Sequence, residues 1–140
     1  MRFTLYWGLD NSARVTTVHD LDVLLTLLSR SRSRSRGRLP YAVDLLPSGA
    51  HDGGLQLGIG HRERAFVLAL DPPDGYGSEP GVPAWHGPIA FDRGSEVIEL
   101  KPELTRVTTR AAIEAARWYV HTGTRPVNLE FDRVPVPSAG

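Results

Sequence analysis

The stretch "LQLGIGHRERAFVLAL", residues 55 to 70, decides the fold. Two apolar runs, 55–60 and 64–70, flank the polar "HRE" at 61–63. Runs of that length and composition around a polar turn read as an antiparallel hairpin. Working outward, "YAVDLL" (41–46) reads as a strand and "PSGAHDGG" (47–54) as the turn that feeds the hairpin. Residues 71–88 form a long loop that carries five of the eleven prolines. "PIAFD" (88–92) and "EVIEL" (96–100) then pair as a second hairpin around "RGS". Further out, "RFTLYW" (2–7) and "VNLEFD" (127–132) suit strands.

Two helices bracket the central strands. "TVHDLDVLLTLLSRS" (17–31) places Leu21, Leu24, Leu25 and Leu28 on one face. Thr17 and Asp20 stand three apart, the spacing of a capping box, and Asp20 and Asp22 lie where the helix dipole favours anions. "TRAAIEAARWYVHTG" (109–123) places Ala112, Ile113, Ala116, Tyr119 and Val120 in an apolar stripe, with Thr109 as its cap. The order is strand, helix, a run of strands, helix, strand. It predicts an α+β single domain over residues 1–134, with a largely antiparallel sheet of about six strands and two main helices. Residues 135–140 are expected to be a loose tail.

Composition removes several classes of function. Sixteen basic and sixteen acidic residues cancel, so no global field draws the chain to nucleic acid or membrane. With no cysteine, disulfides, thiolate metal sites and cysteine nucleophiles are excluded. The start "MRFTLYWGLDNS" has no long apolar core, and no apolar run reaches spanning length, so the expected compartment is the cytoplasm. The histidines His19, His51, His61, His86 and His121 have no metal-ligand spacing. "HRE" lacks the later cysteine pair of zinc deaminases, and "GIGHRE" precedes a strand rather than a helix. "DPPDG" (71–75) has no calcium-loop continuation, and no G-x-S-x-G is present. No cofactor, no metal and no enzyme activity are expected.

Charge is nonetheless unevenly spread. Arg30, Arg32, Arg34, Arg36 and Arg38 form a basic run. It suits a solvated helix end, or phosphate contacts in a nucleic-acid-binding module, although no aromatic interleaves for base stacking. Residues 71–103 hold seven acids against Arg93 and Lys101, a net charge of −5. That segment carries Tyr76, Trp85 and His86, so it suits a basic protein partner, or Trp85 packs down as a lid on the core. A small hydrolase working through Asp71 or Asp92 is a third reading.

The C-terminal block is the most specific part of the chain. Val107-Thr108-Thr109 precedes a helix with Ala111, Ala112, Ala115 and Ala116; Tyr119 follows near its end, then Thr122-Gly123-x-Arg125-Pro126 and a strand. Together with the Leu-x-x-Gly-x-Gly strand pair at 55–70 and "FDRG" (91–94), it resembles immunity protein family one (Imm-one) of bacterial polymorphic toxin systems. The resemblance runs from about Val15 to Phe131. It departs at Phe131, where members often carry Trp, and in the Arg-Ser run, which is not a family feature. The resemblance implies a small cytoplasmic protein that binds and neutralises a toxin domain encoded beside it, nucleic-acid deaminases among them. It implies a monomer in complex with toxin, with no direct nucleic-acid or membrane contact. The expected toxin-facing surface is Asp71, Asp74, Tyr76, Glu79, Trp85, His86, Asp92 and Glu96. The corner "WYVHTGTRPVNLEF" (118–131) reads as structural: Gly123 ends the helix, and Arg125 ties a loop carbonyl or carboxylate.

Overall fold

The computed structural model describes residues 2–31, 37–49 and 53–133. Arg32, Arg34 and Arg36, His51, Val134 and the expected tail 135–140 lie outside the described residues. The strands are β1 (Phe3–Trp7), β2 (Asn11–Val15), β3 (Tyr41–Pro47), β4 (Leu55–Ile59), β5 (Arg64–Ala65), β6 (Val67–Ala69), β7 (Gly75–Ser78), β8 (Ile89–Asp92), β9 (Val97–Leu100), β10 (Val107–Thr108) and β11 (Glu130–Arg133). The helices are α1 (Val18–Ser31) and α2 (Thr109–Thr122), and Pro102–Leu104 makes a single 3-10 turn.

The sheet corrects the sequence reading. Nine strands form one sheet, not about six, in the order β11-β7-β6-β4-β3-β1-β2, with β8 branching from β3 and β9 pairing β8. All pairings are antiparallel except one β3–β8 bridge, Tyr41 to Asp92. A separate two-stranded sheet joins β10 to β5. The unexpected strands have weak local signals. β2 ("NSARV") is largely polar and exposed, and is held by its register with β1, Phe3 opposite Val15. β7 ("GYGS") is half glycine, a poor strand former. A Cβ at Gly77 would stand 2.8 Å from Leu129 Cδ1 and 3.0 Å from Phe131 Cε1, so close packing under the sheet requires glycine there.

Both helices cap as their termini dictate. In α1 the Thr17 hydroxyl accepts from the Asp20 N–H at 3.1 Å, and the Asp20 carboxylate accepts from the Thr17 N–H at 3.2 Å. Hydrogen bonds from the Thr16 N–H and hydroxyl add to these and lower the Asp20 pKa. The cap of α2 is Thr108 rather than Thr109; its hydroxyl accepts from the Ala111 N–H at 3.2 Å. Gly123, at φ 72°, ends α2 by donating to the Tyr119 carbonyl.

Alternation along the strands gives the sheet two unlike faces. Phe3, Leu5, Val43, Leu45, Leu55, Leu57, Ile59 and Val67 point to the helices, against Leu21, Leu25, Leu28, Ala112, Ala116 and Tyr119. The other face packs Ala42 and Phe66 against Ile89, Phe91 and Leu100 of the β8–β9 hairpin. β4 is buried along its whole length as a result. At Gly58 the Phe66 and Phe91 rings fill the space that a Cβ would take. Those rings meet edge to face with centroids 5.0 Å apart, worth about 0.5–1.5 kcal/mol beyond area burial.

Gly58→Ala should therefore destabilise the protein by about 1–3 kcal/mol through overpacking. Gly87→Ala, with nothing within 4 Å of the new Cβ, should unfold as wild type. Urea midpoints at constant slope measure both.

Candidate functional site: a groove on the open sheet face

The β8–β9 hairpin covers only part of the second face. The uncovered part is a groove of about 820 Å³. Its floor is Asp44, Leu46, Gln56, Leu68, Leu70 and Tyr76, and its walls are Arg93, Ile98 to Lys101, Glu103 and Leu104. The floor follows from strand register. Tyr6 stands opposite Asp44, Asp44 opposite Gln56, Gln56 opposite Leu68 and Leu68 opposite Tyr76, one transverse row across five strands. Within it the Gln56 side-chain amide donates to Asp44 Oδ1 at 2.9 Å. One carboxylate thus sits among apolar side chains, oriented by a nearly buried glutamine. Burial raises the Tyr76 pKa against the opposing positive charge of Arg93. At the rim Arg93 pairs with Glu96 at 3.4 Å, both well exposed.

The residues expected to form one surface are spread around this groove. Asp71 and Asp74 lie in the turn between β6 and β7, at the sheet end that carries Pro47 and Phe3. Asp92, paired with Tyr41, and Glu96 lie toward the other end. Tyr76 alone of the eight lines the groove. Glu79 accepts from the Thr108 N–H at 2.9 Å and the Thr108 hydroxyl at 2.7 Å, so it braces the start of α2. The buried Asp92 carboxylate accepts from the Gly94 N–H at 2.8 Å and shapes the hairpin turn. Trp85 packs down: the Arg64 guanidinium lies 4.9 Å from its ring, and His61 meets it edge-on. The exposed His86 leans on Trp85.

Sequence reasoning missed Asp44, Gln56, Leu46, Leu68 and Leu70. The available signal was a polar residue at the alternate position of two apolar strands, "YAVDLL" and "LQLGIG". Only the pairing register shows that the two polar residues face each other.

The corner at 118–131 is structural. Arg125 donates to the Asp71 and Pro73 carbonyls at 2.7 Å each and lies 5.3 Å from the Phe131 ring, so it anchors the β6–β7 turn. Thr122 and Thr124 bond each other, the Trp118 carbonyl and the Trp118 indole N–H. Arg64 likewise holds the loop before β8, donating to Pro83 O at 2.6 Å and Thr105 O at 3.2 Å. Among the described residues no three histidine or acidic side chains group to hold a metal ion. No helix among them is long and apolar enough to cross a membrane.

The groove thus sets leucine side chains on its floor against charged residues on its walls. Residues 10–132 match the family described as Immunity protein Imm1, and the chain belongs to that family. A search among curated proteins finds no match.

The core on the helix side of the sheet carries its own pH signature. Burial, chiefly, and the nearby Asp71 charge push the Tyr119 phenol up to about 12, against a hydrogen bond from the Gly54 backbone. A raised acid pKa stabilises the fold fully below the ordinary value of 10 and loses that contribution as pH climbs to about 12. Stability should fall across that window in wild type and fall less steeply in Tyr119→Phe, as read by urea melts at stepped pH.

Proposed function

We propose that this protein neutralises a cognate toxin domain encoded beside it, by seating on the toxin and occluding its substrate cleft. The observation that supports this most is the groove, whose charged walls and leucine-rich floor belong to a chain of an immunity family. The toxin class that fits is one that handles nucleic acid, a nucleic-acid deaminase among them, because such an enzyme presents a basic cleft. The segment 71–103, net −5, supplies the complementary field. Asp71, Asp74, Tyr76 and Glu96 are its contact residues of choice, together with Glu99 and Glu103 at the groove. Trp85 and His86 extend the surface at one corner, while Glu79 and Asp92 act from inside the fold. Steering by such charges quickens encounter, and packing on the apolar floor slows release. The protein does no chemistry in this reading. It acts as a monomer on the toxin, in the compartment where the toxin would do harm.

The test is direct. The C-terminal domain of the toxin-like reading frame next to this gene should co-purify with the chain and lose activity in its presence. Reversing the exposed Asp74, Glu96 and Glu103 to Lys should slow association about tenfold at low salt, with a smaller effect at high salt. Stopped-flow association rates measure this. Unchanged rates would remove the electrostatic part of the reading, and absence of any complex would remove the whole.

A further inference from the structure

Beyond placing the toxin on this face, the geometry points to what enters the groove. We infer that it receives one extended segment of the toxin, which adds as a strand to the free edge of β9 and sends an arginine or lysine to Asp44. This rests on the proposed function.

The edge is the first observation. Among the described residues β9 pairs with β8 alone. The Arg93 N–H donates to the Glu96 carbonyl across the hairpin turn at 3.0 Å. Antiparallel pairs alternate between bonded and non-bonded, so the pairs Phe91–Ile98 and Ile89–Leu100 carry the ladder. Asp92 agrees, since its N–H turns away from β9 to the Pro40 carbonyl at 2.8 Å. The backbone groups of Val97 and Glu99 therefore point outward, unpaired within the sheet. Ile98 to Lys101 line the groove, so this edge borders it. A strand added there lies over Leu46, Leu68, Leu70 and Tyr76, and every second side chain faces the floor.

Charge is the second observation. With Arg93 paired to Glu96, Lys101 is left against Asp44, Glu99 and Glu103. Asp44 is the one carboxylate on the floor, and Gln56 satisfies one side of it. A carboxylate among leucines is best matched by a cation brought in by the occupant. A basic cleft of the kind proposed has such side chains to offer.

The experiment uses the full chain and the neighbouring toxin domain, with affinity read by calorimetry. Asp44→Asn keeps the shape and removes the charge, and should weaken binding about thirty-fold or more. Glu99→Pro removes an N–H that bonds no strand, and should weaken binding about tenfold, whereas Glu99→Gln keeps the N–H and should cost no more than about threefold. Thermal melting checks that each variant folds. Hydrogen exchange on the wild-type complex gives an independent reading, with slowed exchange expected at the Val97 and Glu99 amides. Wild-type affinity in Asp44→Asn and Glu99→Pro, with unprotected β9 amides, would overturn the groove occupant and leave the immunity reading standing. A small molecule or a second copy in the groove would give that same result. No binding by the wild-type chain would overturn both.

Discussion

The architecture depends on the gap above Gly58. β4 is the strand buried from both sides, and it can be so because one of its residues has no side chain. Phe66 and Phe91 meet in that gap, and through them the β8–β9 hairpin is seated on the sheet. Without the seat, β8 would be joined to the sheet by its single bridge at Tyr41. The helices would then cover one face, and the other would be an open slope rather than a walled groove. The site thus depends on the packing of Phe66 on Phe91, neither of which lines the groove, and not on any residue in its floor.

Around that seat the connecting segments are fixed by buried or half-buried cations acting on carbonyls. Arg64 holds the loop before β8, and Arg125 holds the turn before β7. Glu79 does the converse, accepting from Thr108 where α2 begins. A guanidinium is suited to this because it donates several hydrogen bonds in a fixed plane. The consequence for function is preorganisation. A surface whose loops are tied before the partner arrives has less ordering entropy to lose on binding.

What could be read in the chain was what local chemistry dictates. Thr17 and Asp20 form the box expected of them, and Gly123 ends α2 in the left-handed conformation expected of it. Arg125 ties loop carbonyls as its position after the helix suggested. The strands β2 and β7 escaped because their residues do not favour strands by themselves; β1, β6 and β11 impose the conformation through pairing. The acidic segment 71–103 was visible as composition, but charge along the chain does not say which carboxylates remain outside. Glu79 and Asp92 are spent on backbone donors, and Asp71 and Asp74 are carried to one end of the sheet.

By itself, the sequence determined the two helices, the cap that opens α1, the glycine that ends α2, the β4–β6 pairing of the central hairpin and, through the C-terminal block, the family. These rest on contacts within a few residues or on a motif of fixed spacing. Tertiary structure alone decided the number of strands, the pairing of Asp44 with Gln56, and the groove between the sheet and the β8–β9 hairpin. The physical reason is that register and sheet branching are set by contacts far apart in the chain. A one-residue slip in β3 or β4 would turn Asp44 or Gln56 toward the helices, and no local pattern records that it does not.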